Sequence, residues 1–201
     1  MDLFTVSKAC EATLKIRRST FIGYVITVED LSSAKEAISQ RSAEHSRATH
    51  NCWAYVLGYE GETCHSSDAG EPSGSAGRPI LNALKSANLT NVAAVVTRYY
   101  GGVKLGVRGL IEAYEEATNS AITEAKLLPV VATVTFSVEL PYDLVGTFMH
   151  QIQNFSAKCT QDYGAKVTCL VEVPLEFQKP CEQYLTTLAA TSQTSFHLLE
   201  G

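Results

Sequence analysis

Two hydrophobic periods alternate along this chain and predict its elements. Phe4, Val6 and Ile16, then Phe21-Ile22-Gly23-Tyr24-Val25-Ile26, predict strands over residues 1 to 28, with a basic turn at Lys15, Arg17 and Arg18. Asp30 is placed to cap a helix reaching about Glu44, with Leu31, Ala34 and Ile38 on one face. His50 to Leu57 alternates as a strand: His50, Cys52 and Ala54 face one way, Asn51, Trp53 and Tyr55 the other. Glu60-Gly61-Glu62 predicts a turn, and Thr63 to Ser66 a short returning strand. Val92-Ala93-Ala94-Val95-Val96 is an unbroken apolar run, the mark of a strand buried on both faces. Leu110, Ala113, Tyr114, Ala117, Ala121 and Ala125 then recur at helical spacing.

Lys126-Leu127-Leu128-Pro129 is expected to close that helix, and a second unit begins. Val134, Phe136, Val138 and Leu140 alternate as a half-buried strand, and Leu144, Val145, Phe148 and Ile152 follow at helical spacing. Ala157 to Tyr163 and Lys166 to Val173 flank Gly164 as a hairpin. Leu185 and Leu188 mark another helix, in which Pro180 is tolerable only in the first turn. Phe196 to Leu199 closes with a strand. The order β-α-β-β-α-β is the ferredoxin-like pattern. The expected fold class is therefore α+β, with an N-terminal domain over 1–128 and a C-terminal domain over 129–201.

Composition adds limits. With 45% hydrophobic and 18% charged residues, the chain is an ordinary globular protein. No apolar run approaches the ~20 residues of a membrane span, and Met1-Asp2-Leu3-Phe4 lacks a signal-peptide pattern. The six cysteines are scattered, as expected of reduced thiols in a cytoplasmic protein. A net charge of -5 argues against a protein that coats nucleic acid indiscriminately. The charge is unevenly placed, however. No Asp or Glu occurs from Pro72 to Ile111, a stretch that holds Arg78, Lys85, Arg98, Lys104 and Arg108. From Pro129 onward there are three lysines and seven acids.

Two glycine-rich loops overlap the cationic stretch. Ser67 to Pro79 holds Gly70, Gly74 and Gly77, and Pro79 suits the first position of a short helix with Ile80, Leu81 and Leu84 buried. Arg98 to Gly109 holds Gly101, Gly102 and Gly106 and leads into the long helix. Glycine-rich turns before helix N-termini aim unpaired N–H groups outward, where they favour an anion. Gly101, Gly102 and Gly106 with Arg78, Arg98, Lys104 and Arg108 thus form a candidate phosphate or RNA cradle, shaped by Gly70, Gly74 and Gly77. Tyr100 is a candidate to stack on an unpaired base. The plainer account is that both loops are turns the fold needs. The lysine-serine ending of a nucleotide P-loop is missing, which speaks against a dedicated NTPase.

His50, Cys52, Cys64 and His65 invite a zinc reading, but their spacing is not that of a finger, and neither metal nor cofactor is expected. His50, Asp68 and Glu71, or Cys52 with His50, are the groups an enzyme would use.

The motifs carry a resemblance. His50-x-Cys52, the loop Ser67-Asp68-Ala69-Gly70-Glu71-Pro72-Ser73-Gly74-Ser75-Ala76-Gly77-Arg78-Pro79, and Arg98-Tyr99-Tyr100-Gly101-Gly102 running to Leu110 resemble the IMPACT/YigZ family over essentially the whole chain. The resemblance implies an N-terminal ribosomal protein S-five domain-two-like fold. It also implies a ferredoxin-like C-terminal domain similar to one in translation elongation factor G. Eukaryotic members are regarded as regulators of translation under amino-acid starvation. Ala69 stands where the family usually has a second aspartate, Ser75 where it has threonine, and Arg108 where a small residue is common. The loss of a carboxylate at Ala69 counts against catalysis. The leading expectation is a non-enzymatic, translation-associated regulator. It would bind the ribosome, ribosomal RNA or a protein of the translation machinery through the glycine-rich cationic surface. One alternative is an enzyme acting on a small phosphorylated or peptide substrate in the same cleft, and another is a protein-interaction module alone.

Overall fold

The structure, a computed structural model, describes residues 3–199. The chain divides into two compact units, one ending at Val130 and the other beginning at Val131.

The first unit contains β1 (Phe4–Val6), β2 (Cys10–Ile16), β3 (Ser19–Thr27), α1 (Leu31–Glu44), β4 (His50–Leu57) and β5 (Thr63–Ser67). It continues with α2 (Gly77–Ser86), β6 (Val92–Tyr99), α3 (Gly106–Thr123) and β7 (Leu127–Pro129). Five strands form one sheet in the order β2-β3-β6-β4-β5, every neighbouring pair antiparallel. β6 lies at its centre and is buried from Val92 to Arg98, which is why its sequence is apolar without alternation. On one face of the sheet, Val25, Cys52, Ala54 and Val96 pack with Ile80 and Leu84 of α2 and Tyr114 and Ala117 of α3. On the other, Tyr55, Ala93 and Val95 pack with Ala34 and Ile38 of α1. The period-two alternation of β4 therefore splits between two cores. The N-terminus of α1 closes as a capping box: Ser33 N–H donates to Asp30 Oδ1 at 2.7 Å and Asp30 N–H to Ser33 Oγ at 3.0 Å.

Two boundaries differ from expectation. α2 begins at Gly77 and not at Pro79, because a carboxylate accepts the amides of Ala76 and Gly77 and stabilises an earlier start. Leu127 to Pro129 do not end the long helix. They form β7, which pairs antiparallel with β1 and so supplies partners for backbone groups of β1.

The second unit runs β8 (Thr133–Leu140), α4 (Val145–Ile152), β9 (Lys158–Tyr163), β10 (Val167–Pro174), α5 (Gln178–Thr191) and β11 (Ser195–Leu199). Its sheet order is β11-β8-β10-β9, all antiparallel, which is the ferredoxin-like arrangement. Phe136 and Val138 of β8 and Val167, Cys169 and Val171 of β10 form a core with Phe148 and Ile152 of α4 and Leu185 of α5. Pro180 lies in the first turn of α5, where its missing N–H leaves no helical bond unmade. Among the described residues, no helix is long and apolar enough to cross a membrane.

Candidate functional site

The two glycine-rich loops meet where β6 ends. β4 sets His50 directly opposite Arg98 of β6, and the loops fold over this pair from either side. Asp68 closes the first loop on itself. Its Oδ2 accepts from Gly74 N–H at 2.8 Å, and its Oδ1 accepts from Ala76 and Gly77 N–H, each at 2.9 Å. Burial pushes this carboxyl up, but the three backbone donors outweigh burial, and it lies below the ordinary carboxylate value.

Glu71 is carried inward by the loop so formed. Its Oε1 accepts from Arg98 Nη1 at 2.6 Å and from the Tyr114 hydroxyl at 2.8 Å. The guanidinium carbon of Arg98 lies 5.4 Å from the Phe21 ring centre and 5.1 Å from that of Tyr100, a cation in contact with two aromatic rings. Tyr114 also lies 3.4 Å from Cys52 Sγ, whose thiol donates to the Asp68 carbonyl at 2.9 Å. Burial, opposed by the Tyr114 hydrogen bond, pushes the Cys52 thiol up to about 12. Burial likewise holds the Tyr114 hydroxyl far above its ordinary value. Both are neutral at physiological pH. His50 Nδ1 lies 2.9 Å from the Ala69 carbonyl oxygen. A carbonyl only accepts, so Nδ1 donates in that bond, and Nε2 makes no hydrogen bond among the described residues.

Between the loops lies a cavity of about 390 Å³, lined by Thr49, His50, Glu71, Pro72, Arg98 and Tyr100 and by the segment from Lys104 to Val107 with Leu110. The second loop is shaped by close approach. At Gly101 a Cβ would run into the Arg18 carbonyl, and the Gly101 N–H donates to Ser19 Oγ at 3.2 Å. Gly106, with φ +74°, turns the chain into α3. No side chain caps that helix, and its first turn contains no acid.

The structure separates the predicted cations. Lys104 is exposed beside the cavity. Arg98 is not a free surface charge, since it is 5% exposed and paired with Glu71. Arg108 is exposed but pairs with Glu112 one helical turn on, at 2.9 Å. Arg78 is exposed on α2 and does not line the cavity. The continuous cationic cradle expected from composition is thus reduced at the cavity to Lys104 and helix amides. Gly74 and Gly77 serve the first loop as donors to Asp68, Gly70 packs against the His50 ring, and Gly102 sits at an open turn. Tyr100 is 43% exposed, whereas Tyr99 is half-buried, with its hydroxyl 2.9 Å from His45 Nδ1.

Of the catalytic alternatives, Asp68 and Cys52 are bonded into the loop, and Glu71 is bonded to Arg98 and Tyr114. Nor do the zinc candidates gather. His65 packs on Trp53 and Tyr55, Cys64 lies against the opposite core, and no group of three or more His, Cys, Asp or Glu side chains assembles among the described residues. Sequence reasoning missed Tyr114, which it read only as a core position of α3. The available signal was that a buried tyrosine hydroxyl needs a partner.

The family model of the Impact N-terminal domain matches residues 17–122. "IMPACT family member YvyE" of Bacillus subtilis (strain 168) is 42% identical over 135 residues, covering 65% of this chain and 62% of that protein, so the match spans less than two thirds of YvyE. "IMPACT family member YigZ" of Escherichia coli (strain K12) is 32% identical over 195 residues, 92% of this chain and 91% of its own. "Protein IMPACT" of Rattus norvegicus is 33% identical over 100 residues, 47% of this chain and 31% of that one. A solved structure described as that of a hypothetical protein superposes with a TM-score of 0.74 at 28% identity, covering 100% of this chain and 97% of the other.

Proposed function

The chain belongs to the IMPACT family, and from that premise we propose that it is a translation-associated regulator that acts by binding, without turnover. The observation that carries this reading is the commitment of the loop carboxylates. Asp68 accepts three backbone amides, and Glu71 accepts a buried guanidinium and a buried hydroxyl. Groups held this way build a surface more readily than they cycle protons. The cavity they support presents Lys104 and the uncapped N-terminus of α3, which together favour an anionic group. The partner is the ribosome or its RNA, contacted through few phosphates, with the acidic second unit meeting a protein of the same machinery. Six free cysteines suit a cytoplasmic setting.

Co-sedimentation with ribosomes and free subunits across a salt series tests this. Each phosphate contact contributes a slope of roughly −0.7 to −0.9 in log affinity against log salt, so the expected slope is shallow, and Lys104→Ala reduces it by about one contact. Absence of co-sedimentation at low salt overturns the reading.

A second reading is favoured by His50, whose Nδ1 bond to the Ala69 carbonyl leaves Nε2 free in a residue lining the cavity. That is the orientation of a general base. Turnover of a small phosphorylated or peptide substrate, abolished in His50→Gln, would support an enzyme.

A further inference from the structure

The cavity has two chemically different ends, and they point to one kind of occupant. At one end, α3 opens at Gly106 with no side-chain cap and no acid in its first turn, and Lys104 stands beside it. A second feature at this cavity also lacks a partner. Arg98 lines it with more than nine-tenths of its side chain buried, yet only Nη1 is hydrogen-bonded among the described residues, and Nε has no partner. A buried guanidinium left partly unsatisfied is costly unless something else accepts from it.

At the other end stands Tyr100, with the Arg98 guanidinium carbon 5.1 Å from its ring centre. That cation–π contact holds the Tyr100 ring, and the Tyr100 N–H donates to Thr49 Oγ1 at 3.0 Å. Its ring is nonetheless 43% exposed. A ring already positioned, with open surface, is a platform on which a planar group stacks at little entropic cost. Leu105, Val107 and Leu110 supply apolar wall. At about 390 Å³ the cavity has room for one small molecule and not for a nucleic-acid tract.

We propose that the cavity receives a single nucleotide, its base stacked on Tyr100 and its phosphate held by the first turn of α3 and Lys104. The inference rests on the binding reading above and narrows its ligand to a phosphate monoester joined to a planar base. That chemistry is supplied by a free mononucleotide or by a phosphorylated RNA end.

Calorimetric titration of the full chain with adenosine monophosphate, adenosine, ribose 5-phosphate and inorganic phosphate tests it. The expected order places adenosine monophosphate tighter than any of its parts. Tyr100→Ala lowers its affinity about tenfold, to that of ribose 5-phosphate, while Tyr100→Phe retains it. Lys104→Ala lowers it toward that of adenosine. Adenosine monophosphate binding no tighter than inorganic phosphate, or unchanged by Tyr100→Ala in a variant with wild-type unfolding temperature, overturns the proposal. Competition by a 5′-phosphorylated oligoribonucleotide, and not by its 5′-hydroxyl twin, assigns the RNA end as the source. Competition by neither, with adenosine monophosphate still bound, assigns the free nucleotide. Nucleotide binding without ribosome co-sedimentation supports the pocket and removes the translation partner. Co-sedimentation without nucleotide binding does the reverse.

Discussion

Arg98 Nη1 meets Glu71 Oε1 at 2.6 Å, with 7% and 4% of the two side chains exposed. Removing one member of such a pair strands the other charge in the interior, which costs about 3–5 kcal/mol. Arg98→Ala and Glu71→Leu are therefore each expected to shift urea unfolding by that much, and the double variant by less than the sum. Additive losses would show that the pair is not the unit it resembles. Arg98→Ala consequently reports on folding, and Lys104 is the position at which to probe binding.

Asp68 gives the first loop an acid-sensitive lock. Its folded value lies below the ordinary 3.8, so the unfolded chain takes up that proton more readily than the folded one. The contribution is complete above the ordinary value and is lost as pH falls through the lowered one. Asp68→Asn is expected to be less stable than wild type at neutral pH by about 2 kcal/mol, and the gap to narrow below about pH 4. Parallel acid limbs in the two unfolding curves would contradict the assignment.

Cys52 is expected to behave as an inert core thiol. It is fully buried and pushed up to about 12, whereas Cys64 is half-buried on β5. Brief alkylation of the native protein followed by peptide mass spectrometry should modify Cys64 first and Cys52 only on unfolding. Early labelling of Cys52 would reopen a nucleophilic role.

Ala69 occupies a left-handed backbone conformation, φ 44°, which suits glycine better than alanine. Ala69→Gly should stabilise the first unit by about 1 kcal/mol and raise its unfolding midpoint by ~2–4 °C. The carbonyl that receives His50 is backbone and is kept. A lower midpoint would mean that the loop relaxes differently.

Periodicity was a good guide to elements and a poor one to partners. The two faces of β4 followed from alternation alone, and the ferredoxin-like unit from the order of its segments. An arginine partner for Glu71 was open to sequence reasoning, but not that it would be Arg98, 27 residues away, because charge counting carries no information about which residues meet. The start of α2 depended on Asp68 reaching forward to the amides of Ala76 and Gly77, a loop bond that no helical period records. The pairing of β7 with β1 depended on the need of an N-terminal strand for partners, which local pattern does not express.

The Glu71–Tyr114 bond, with its partners 43 residues apart, has a consequence for how the protein comes into being. The cavity draws on β4, the first loop, β6 and α3, so every wall comes from a different stretch of chain. Loop closure of this range must be completed before the walls face one another. A nascent chain still short of α3, or a peptide excised from either loop, carries the motif residues without the cavity. The cavity is thus completed late and all at once, when the first unit has finished folding.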